Sequence, residues 1–180
     1  RSLAGSFSYF RCFGTRFVDV RVQALEDRAG FARAALPLRT PDGAALPMAT
    51  LGSDGATYLE RMRSLGISTE FVRQLDDTFT AQAMIMSDVD NNQITAFHPG
   101  AMQQAHVTKV AAREDIKLGI IAPDGRDAML QHAEQFAAAG IPFVFDPGQG
   151  LPMFDGEALR HFVDLASWVV VNDYEGKMLS

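Results

Sequence analysis

Three residues carry most of the chemistry that this sequence offers: Asp146, Asn172 and Glu175. Each lies at or just beyond the end of an apolar run. Trp168–Val171 reads as a short buried strand, because three of its four residues are β-branched. Asn172 stops that strand, and Asn172 with Glu175 opens a helix running to Ser180. An Asn at the N-cap with a Glu at the third helical position is close to an ordinary capping box, so a purely structural reading exists. A functional reading stands beside it. A carboxamide and a carboxylate at the carboxyl edge of a sheet, against the positive end of a helix, lie where open α/β sheets bind ligands. Hard oxygen donors of this kind suit Mg2+, which keeps several waters and takes only one or two carboxylates. A Mg2+–phosphate site at that edge is chemically reasonable.

The elements that must position these residues are regular. Lys117–Ala122 reads as a strand, and Asp124 as the cap of a helix to about Ala139, before Gly140. Pro142–Phe145 is the next strand and delivers Asp146-Pro147-Gly148-Gln149-Gly150. Asp155 caps a helix to about Ala166, and Trp168–Val171 follows. Strands alternating with helices at this spacing predict a parallel sheet with right-handed crossovers. Pro123-Asp124, Asp146–Gly150 and Asn172–Glu175 then share one edge.

Upstream, Ala45–Leu51 reads as a strand, and Asp54 as the N-cap of a helix from Gly55 to Leu65 that ends at Gly66. Ile67–Leu75 is a connecting stretch. Thr78–Val89 and Gln93–His98 flank Asp90-Asn91-Asn92, a hairpin signal. Met84 and Met86 read as core or subunit-contact residues, and His98 as part of the turn His98-Pro99-Gly100. Residues 1–42 hold seven arginines, no lysine and four acids. Their aromatic cluster (Phe7, Tyr9, Phe10, Phe13, Phe17) keeps no regular period, while Val22–Leu36 has the pattern of an amphipathic helix. A frame-shifted or misjoined stretch is one reading of this segment.

Composition narrows the function classes. A net charge of −6 argues against nucleic acid or an anionic membrane as the main partner. No apolar run approaches the ~18 residues of a membrane-spanning helix, and no leader pattern opens the chain. The single Cys12 excludes an internal disulfide and fits a reducing, cytoplasmic setting. The four histidines show no metal-ligand pairing. Neither G-x-x-x-x-G-K-[ST], G-x-G-x-x-G nor G-x-S-x-G occurs, so P-loop, dinucleotide and nucleophile-elbow chemistry lack support.

Residues 46–180 resemble the ribokinase-like (PfkB) carbohydrate kinases, adenosine-kinase-like members above all. The resemblance rests on Ala49-Thr50-Leu51-Gly52-Ser53-Asp54 with Leu65-Gly66-Ile67, on Thr80-Ala81-Gln82-Ala83, and on Gln93–Ala101. Asp146-Pro147-Gly148 and Asn172-Asp173-Tyr174-Glu175 follow in the family's order. It implies a Rossmann-like, three-layer α/β sandwich with a parallel sheet and a small β lid. Residues 44–180 would form part of the kinase domain, with 78–98 as the lid hairpin and 1–43 as a poorly matching segment. It further implies transfer of the ATP γ-phosphate to a primary hydroxyl of a sugar or nucleoside, adenosine among them. Ala83, Thr95 and Phe97 would touch that acceptor. Asn172 and Glu175, as the N-x-x-E motif, would hold Mg2+ and its waters near the ATP phosphates, with Glu175 the metal ligand and Asp146 in the same polar edge. A homodimer through the lid is also implied.

The departures carry expectations of their own. The family's Gly-Gly motif is absent from residues 1–43, and its Gly-Ala-Asn reads Gly100-Ala101-Met102. Its G-A-G-D segment, with the catalytic Asp and the anion hole, is expected beyond Ser180. The fold is then expected to be incomplete at its C-terminus and the chain inactive alone. The alternatives are a non-catalytic sugar-binding or dimerisation module derived from such a kinase, and an unrelated Rossmann-like domain with chance matches.

Overall fold

The computed structural model describes residues 7–13, 17–23, 39–40, 43–90, 92–110 and 113–180, with their side chains from Ala45 onward. They fall into two compact units, divided chiefly between Met102 and Gln103, with Phe13 grouped with the second.

The first unit opens with strands β1 (Phe7–Phe13) and β2 (Phe17–Gln23), hydrogen-bonded to one another. The aromatic cluster without a period is therefore strand, in keeping with the β-propensity of Phe, Tyr and Val. The start of the expected helix Val22–Leu36 belongs to β2, and residues 24–36 lie outside the described residues. Strands β3 (Arg39–Thr40) and β4 (Gly43–Ala44) form a short antiparallel pair.

Next comes a βαβ unit: β5 (Met48–Leu51), helix α1 (Ala56–Ser64) and β6 (Phe71–Gln74). The two strands pair in parallel from Met48↔Phe71 to Leu51↔Gln74. Leu59 and Met62 form the buried stripe of α1. The stretch Ile67–Leu75 thus contains a strand rather than only a connection. Arg73 and Gln74 are exposed, which hides it from hydrophobic patterning; its ladder with β5 makes it a strand.

Strands β7 (Gln82–Ser87) and β8 (Gln93–His98) form an antiparallel hairpin, in register from Gln82↔His98 to Ser87↔Gln93. The expected strand Thr78–Val89 is shorter at both ends. Asp88 turns the chain: its Oδ1 accepts from the N–H groups of Asp90 (2.8 Å) and Asn92 (2.9 Å).

The second unit holds the parallel sheet. After a 3₁₀ segment over Gly100–Val107 the order is β9 (Gly119–Ile121), α2 (Arg126–Ala138), β10 (Phe143–Phe145), a 3₁₀ turn (Gly148–Met153), α3 (Gly156–Leu165), β11 (Trp168–Val169) and α4 (Asp173–Leu179). The strands lie in the order β11-β10-β9, all parallel. Central β10 is buried throughout and seeds an aromatic core. Phe145 stacks on Phe162 of α3 with centroids 4.4 Å apart, Phe154 meets Phe162 edge-on at 5.0 Å, and Phe143 stacks on Phe136 of α2 at 5.7 Å.

Trp168–Val171 departs from expectation. Only its first two residues join the ladder, and all four side chains are exposed, Trp168 by 55%. Among the described residues the strand pairs on one side only, with β10.

Asp155 caps α3 as expected, its Oδ1 accepting from Ala158 N–H at 2.8 Å. Asp54 and Asp124 do not cap their helices. The N-cap positions fall to Gly55 and Gly125, with no side-chain cap bond, and both carboxylates turn elsewhere.

Candidate functional site

Parallel pairing brings the carboxyl ends of β9, β10 and β11 to one edge of the second unit. Asp146 directly follows β10 and is buried, its N–H held by Ile121 O at 2.8 Å. Asn172 follows β11 and caps α4. Its Oδ1 accepts from Glu175 N–H (2.8 Å), while Glu175 Oε2 accepts from Asn172 N–H (3.0 Å) and Oε1 from Asn172 Nδ2 (2.8 Å). The capping box is complete. Each Glu175 oxygen accepts one bond here, while a carboxylate has room for about four, so capping leaves acceptor capacity for an ion or its waters.

A third carboxylate stands at the same edge. Asp124, three residues beyond β9, accepts from Gly125 N–H at 2.7 Å. Burial pushes its carboxyl up to about 6, against the opposite pull of the Gly125 bond. Among the described residues no cluster of three His, Cys, Asp or Glu is arranged to cage a metal. Mg2+ keeps several waters and takes only one or two carboxylates, so it does not require such a cage. His132 of α2 takes a structural part: Nε2 meets Thr108 O at 2.8 Å, and burial lowers its basicity.

In the first unit, Ala83 pairs with Phe97 and Ile85 with Thr95, which puts the three acceptor candidates Ala83, Thr95 and Phe97 on one face of the hairpin. Met84, Met86, Ile94 and Ala96 share the opposite face. Met84, Met86, Ile94 and Phe97 are each more than half exposed, an unusual concentration of uncovered apolar surface.

The roots of this hairpin hold a pair that sequence reasoning missed. Asp54 Oδ1 accepts from both Thr80 N–H (2.8 Å) and Thr80 Oγ1 (2.7 Å), and Gly52 N–H donates to Thr80 Oγ1 (2.9 Å). The Thr80 hydroxyl, and then its N–H, hold the Asp54 carboxyl below its usual range. Ala101 N–H closes the other root on Phe79 O at 2.8 Å, and Thr50 Oγ1 donates to Ala101 O at 2.7 Å. The available signal was the acid straight after Gly52-Ser53, which fits a tertiary acceptor as readily as a cap.

A model of the pfkB family of carbohydrate kinases matches residues 44–180. The chain belongs to that family. This pfkB-family chain is 58% identical, over 73% of its length and 44% of the other chain, to a Burkholderia thailandensis nucleoside kinase solved with inosine, at a TM-score of 0.69. Against the ADP–inosine complex of that enzyme the match covers 97% of this chain and 60% of the other, at 46% identity and a TM-score of 0.72. A nucleoside kinase of Methanothermobacter thermautotrophicus is 28% identical over 124 residues, 68% of this chain and 40% of that one. The pfkB-family fold is the ribokinase-like three-layer α/β sandwich. The chain spans less than two thirds of the length of each of these relatives. Among the described residues no helix is long and apolar enough to cross a membrane.

Proposed function

We propose that this pfkB-family protein is an ATP-dependent nucleoside kinase that transfers the γ-phosphate of ATP to a primary hydroxyl of a purine nucleoside. The observation that carries the reading is the Asn172–Glu175 box at the carboxyl edge of a parallel sheet. The inosine-bound relative at 58% identity supports a nucleoside rather than a free sugar, with inosine and adenosine the first acceptors to try. Residues 44–180 form the kinase portion, and 78–98 is the lid hairpin. Ala83, Thr95 and Phe97 contact the nucleoside. Glu175, oriented by Asn172, would hold Mg2+, and Asp146 adds negative charge to the same edge. Mg2+ held there would supply positive charge to offset that of the phosphates. The acceptor oxygen forms a bond to γ-phosphorus, the bond to the bridging oxygen breaks, ADP departs, and the hydroxyl proton passes to the base that the family's G-A-G-D segment supplies.

The test is transfer of labelled γ-phosphate by the whole protein, its G-A-G-D segment included, to inosine, adenosine, ribose and fructose with Mg2+ present. Nucleoside 5′-monophosphates are the expected products. Transfer to free sugars alone removes the nucleoside assignment, and no transfer to any acceptor removes the kinase reading.

The uncovered apolar face of Met84, Met86 and Ile94 favours a second reading, in which the hairpin pairs two copies of the chain with or without catalysis. Sedimentation of the wild type against the Met84→Gln, Ile94→Gln double variant decides it: a dimer that becomes a monomer supports pairing, and an unchanged monomer removes it.

A further inference from the structure

The β7–β8 hairpin is a two-stranded sheet of its own with almost every residue exposed, and such a ribbon has little to hold its direction beyond its attachment. The attachment converges on one peptide group, that between Phe79 and Thr80. Its carbonyl accepts from Ala101 N–H, and its N–H donates to Asp54 Oδ1, so both polar groups are used, one by each neighbouring segment. Asp54 Oδ1 also accepts a hydrogen bond from the Thr80 hydroxyl, whose oxygen accepts in turn from Gly52 N–H. Ser53 N–H reinforces the join by donating to Thr78 O at 2.8 Å.

Glycines allow the approach from both sides. A Cβ on Gly52 would lie 2.2 Å from the Phe79 carbonyl carbon, and one on Gly100 would lie 2.2 Å from Phe79 O. Gly100 also takes φ +45°, a conformation costly to a side-chain-bearing residue. The two roots of the hairpin are thereby joined to one another and tied to the end of β5, with the Asp54 carboxylate as the acceptor for both polar groups of Thr80.

We propose that Asp54 is a positioning residue for the acceptor: by clamping Thr80 it sets the direction of the hairpin, and with it the placement of Ala83, Thr95 and Phe97. The inference rests on the nucleoside-kinase reading above. Geometry makes the lever long. Thr95 lies opposite Ile85, five residues out from Thr80, on the order of 17 Å at about 3.4 Å per residue. A swing of roughly 10° at the root moves that position by about 3 Å, whereas a misplacement of about 1 Å already costs on the order of 100-fold in rate.

The experiment compares Asp54→Ala, Asp54→Asn, Thr80→Val and Thr80→Ser in the whole protein. Its readouts are kcat/KM for inosine or adenosine, the Kd for Mg2+-ATP, and amide hydrogen exchange over residues 82–98. Asp54→Ala and Thr80→Val are expected to lower kcat/KM for the nucleoside about 10- to 100-fold and to speed exchange in the hairpin. Mg2+-ATP affinity should stay within about twofold, as for a site that shares no hydrogen-bond partner with Asp54. Thr80→Ser keeps the hydroxyl and restores the nucleoside value. Equal losses for nucleoside and ATP, or failure of Thr80→Ser to restore, would reduce Asp54 to a general structural role and overturn the proposal. Wild type that phosphorylates nucleosides while Asp54→Ala does so equally well overturns the proposal alone. Wild type that takes no nucleoside overturns the functional reading, and the proposal with it. Should Asp54→Ala fail to fold, Thr80→Val and its serine control decide the same question.

Discussion

Asn172 and Glu175 grip each other through three hydrogen bonds of 2.8–3.0 Å, two of them between a side chain and a main-chain N–H and one between the side chains. The third bond goes beyond an ordinary capping box and ties the second carboxylate oxygen to the carboxamide. A helix cap and, in the proposed function, an oriented Mg2+ ligand thus come from the same pair.

The two duties separate by substitution. Glu175→Gln keeps the size of the side chain and an oxygen for the Asn172 N–H, and is expected to cost less than about 1 kcal/mol of stability. Mg2+-dependent ATP binding is expected to fall at least about tenfold, because a neutral amide is a poor Mg2+ ligand. Asn172→Ala removes the cap and is expected to cost about 1 kcal/mol as well as the orientation of Glu175. Thermal melts and ATP titrations at several Mg2+ concentrations check both; equal ATP affinity with and without Glu175 would leave the pair as a cap only.

Asp124 gives the protein a pH signature. Its carboxyl is raised from 3.8 to about 6 by burial, so the folded state holds its proton where the unfolded chain has lost it. Stability from this group is intact below pH ~4, falls as pH rises from about 4 to about 6, and is level above. The penalty at neutral pH is on the order of 2 kcal/mol after allowance for partial exposure. Asp124→Asn keeps an acceptor for Gly125 N–H and is expected to be the more stable protein at pH 8 and equal to wild type at pH 4. Denaturant melts across that range check the sign.

Glycine substitutions should split by location. Gly52→Ala places a methyl against the backbone of Phe79 and Thr80 and is expected to cost at least about 3 kcal/mol. Gly156→Ala, in the first turn of α3 with nothing near its added carbon, is expected to gain about 0.5–1 kcal/mol. Calorimetric Tm values of the two variants should move in opposite directions.

Phe162 is the keystone of the aromatic core, fully buried and in contact with the rings of both Phe145 and Phe154. Phe162→Ala is expected to cost about 3–5 kcal/mol, as large aromatic truncations do. Because Phe145 leads into Asp146, ATP affinity should fall with it; chemical denaturation alongside ATP titration measures both.

Much of this protein is written in local sequence. The apolar run Phe143–Phe145, the cap Asp155 and the box Asn172–Glu175 act over three or four residues, so residue type and spacing suffice to read them. The alternation of strands and helices after residue 117 dictates the parallel sheet, because a crossover of that length returns the chain in the same direction. Other features were decided at long range. β6 is a strand because β5 lies beside it, although its exposed Arg73 and Gln74 show no strand pattern. Trp168–Val171 has the sequence of a buried strand, yet it is exposed, because burial depends on a neighbour and not on the residues themselves. Asp54 and Asp124 sit where caps belong, but a carboxylate accepts from whichever donor the fold brings closest. For Asp54 that donor is Thr80, 26 residues away, and only the tertiary structure could choose it.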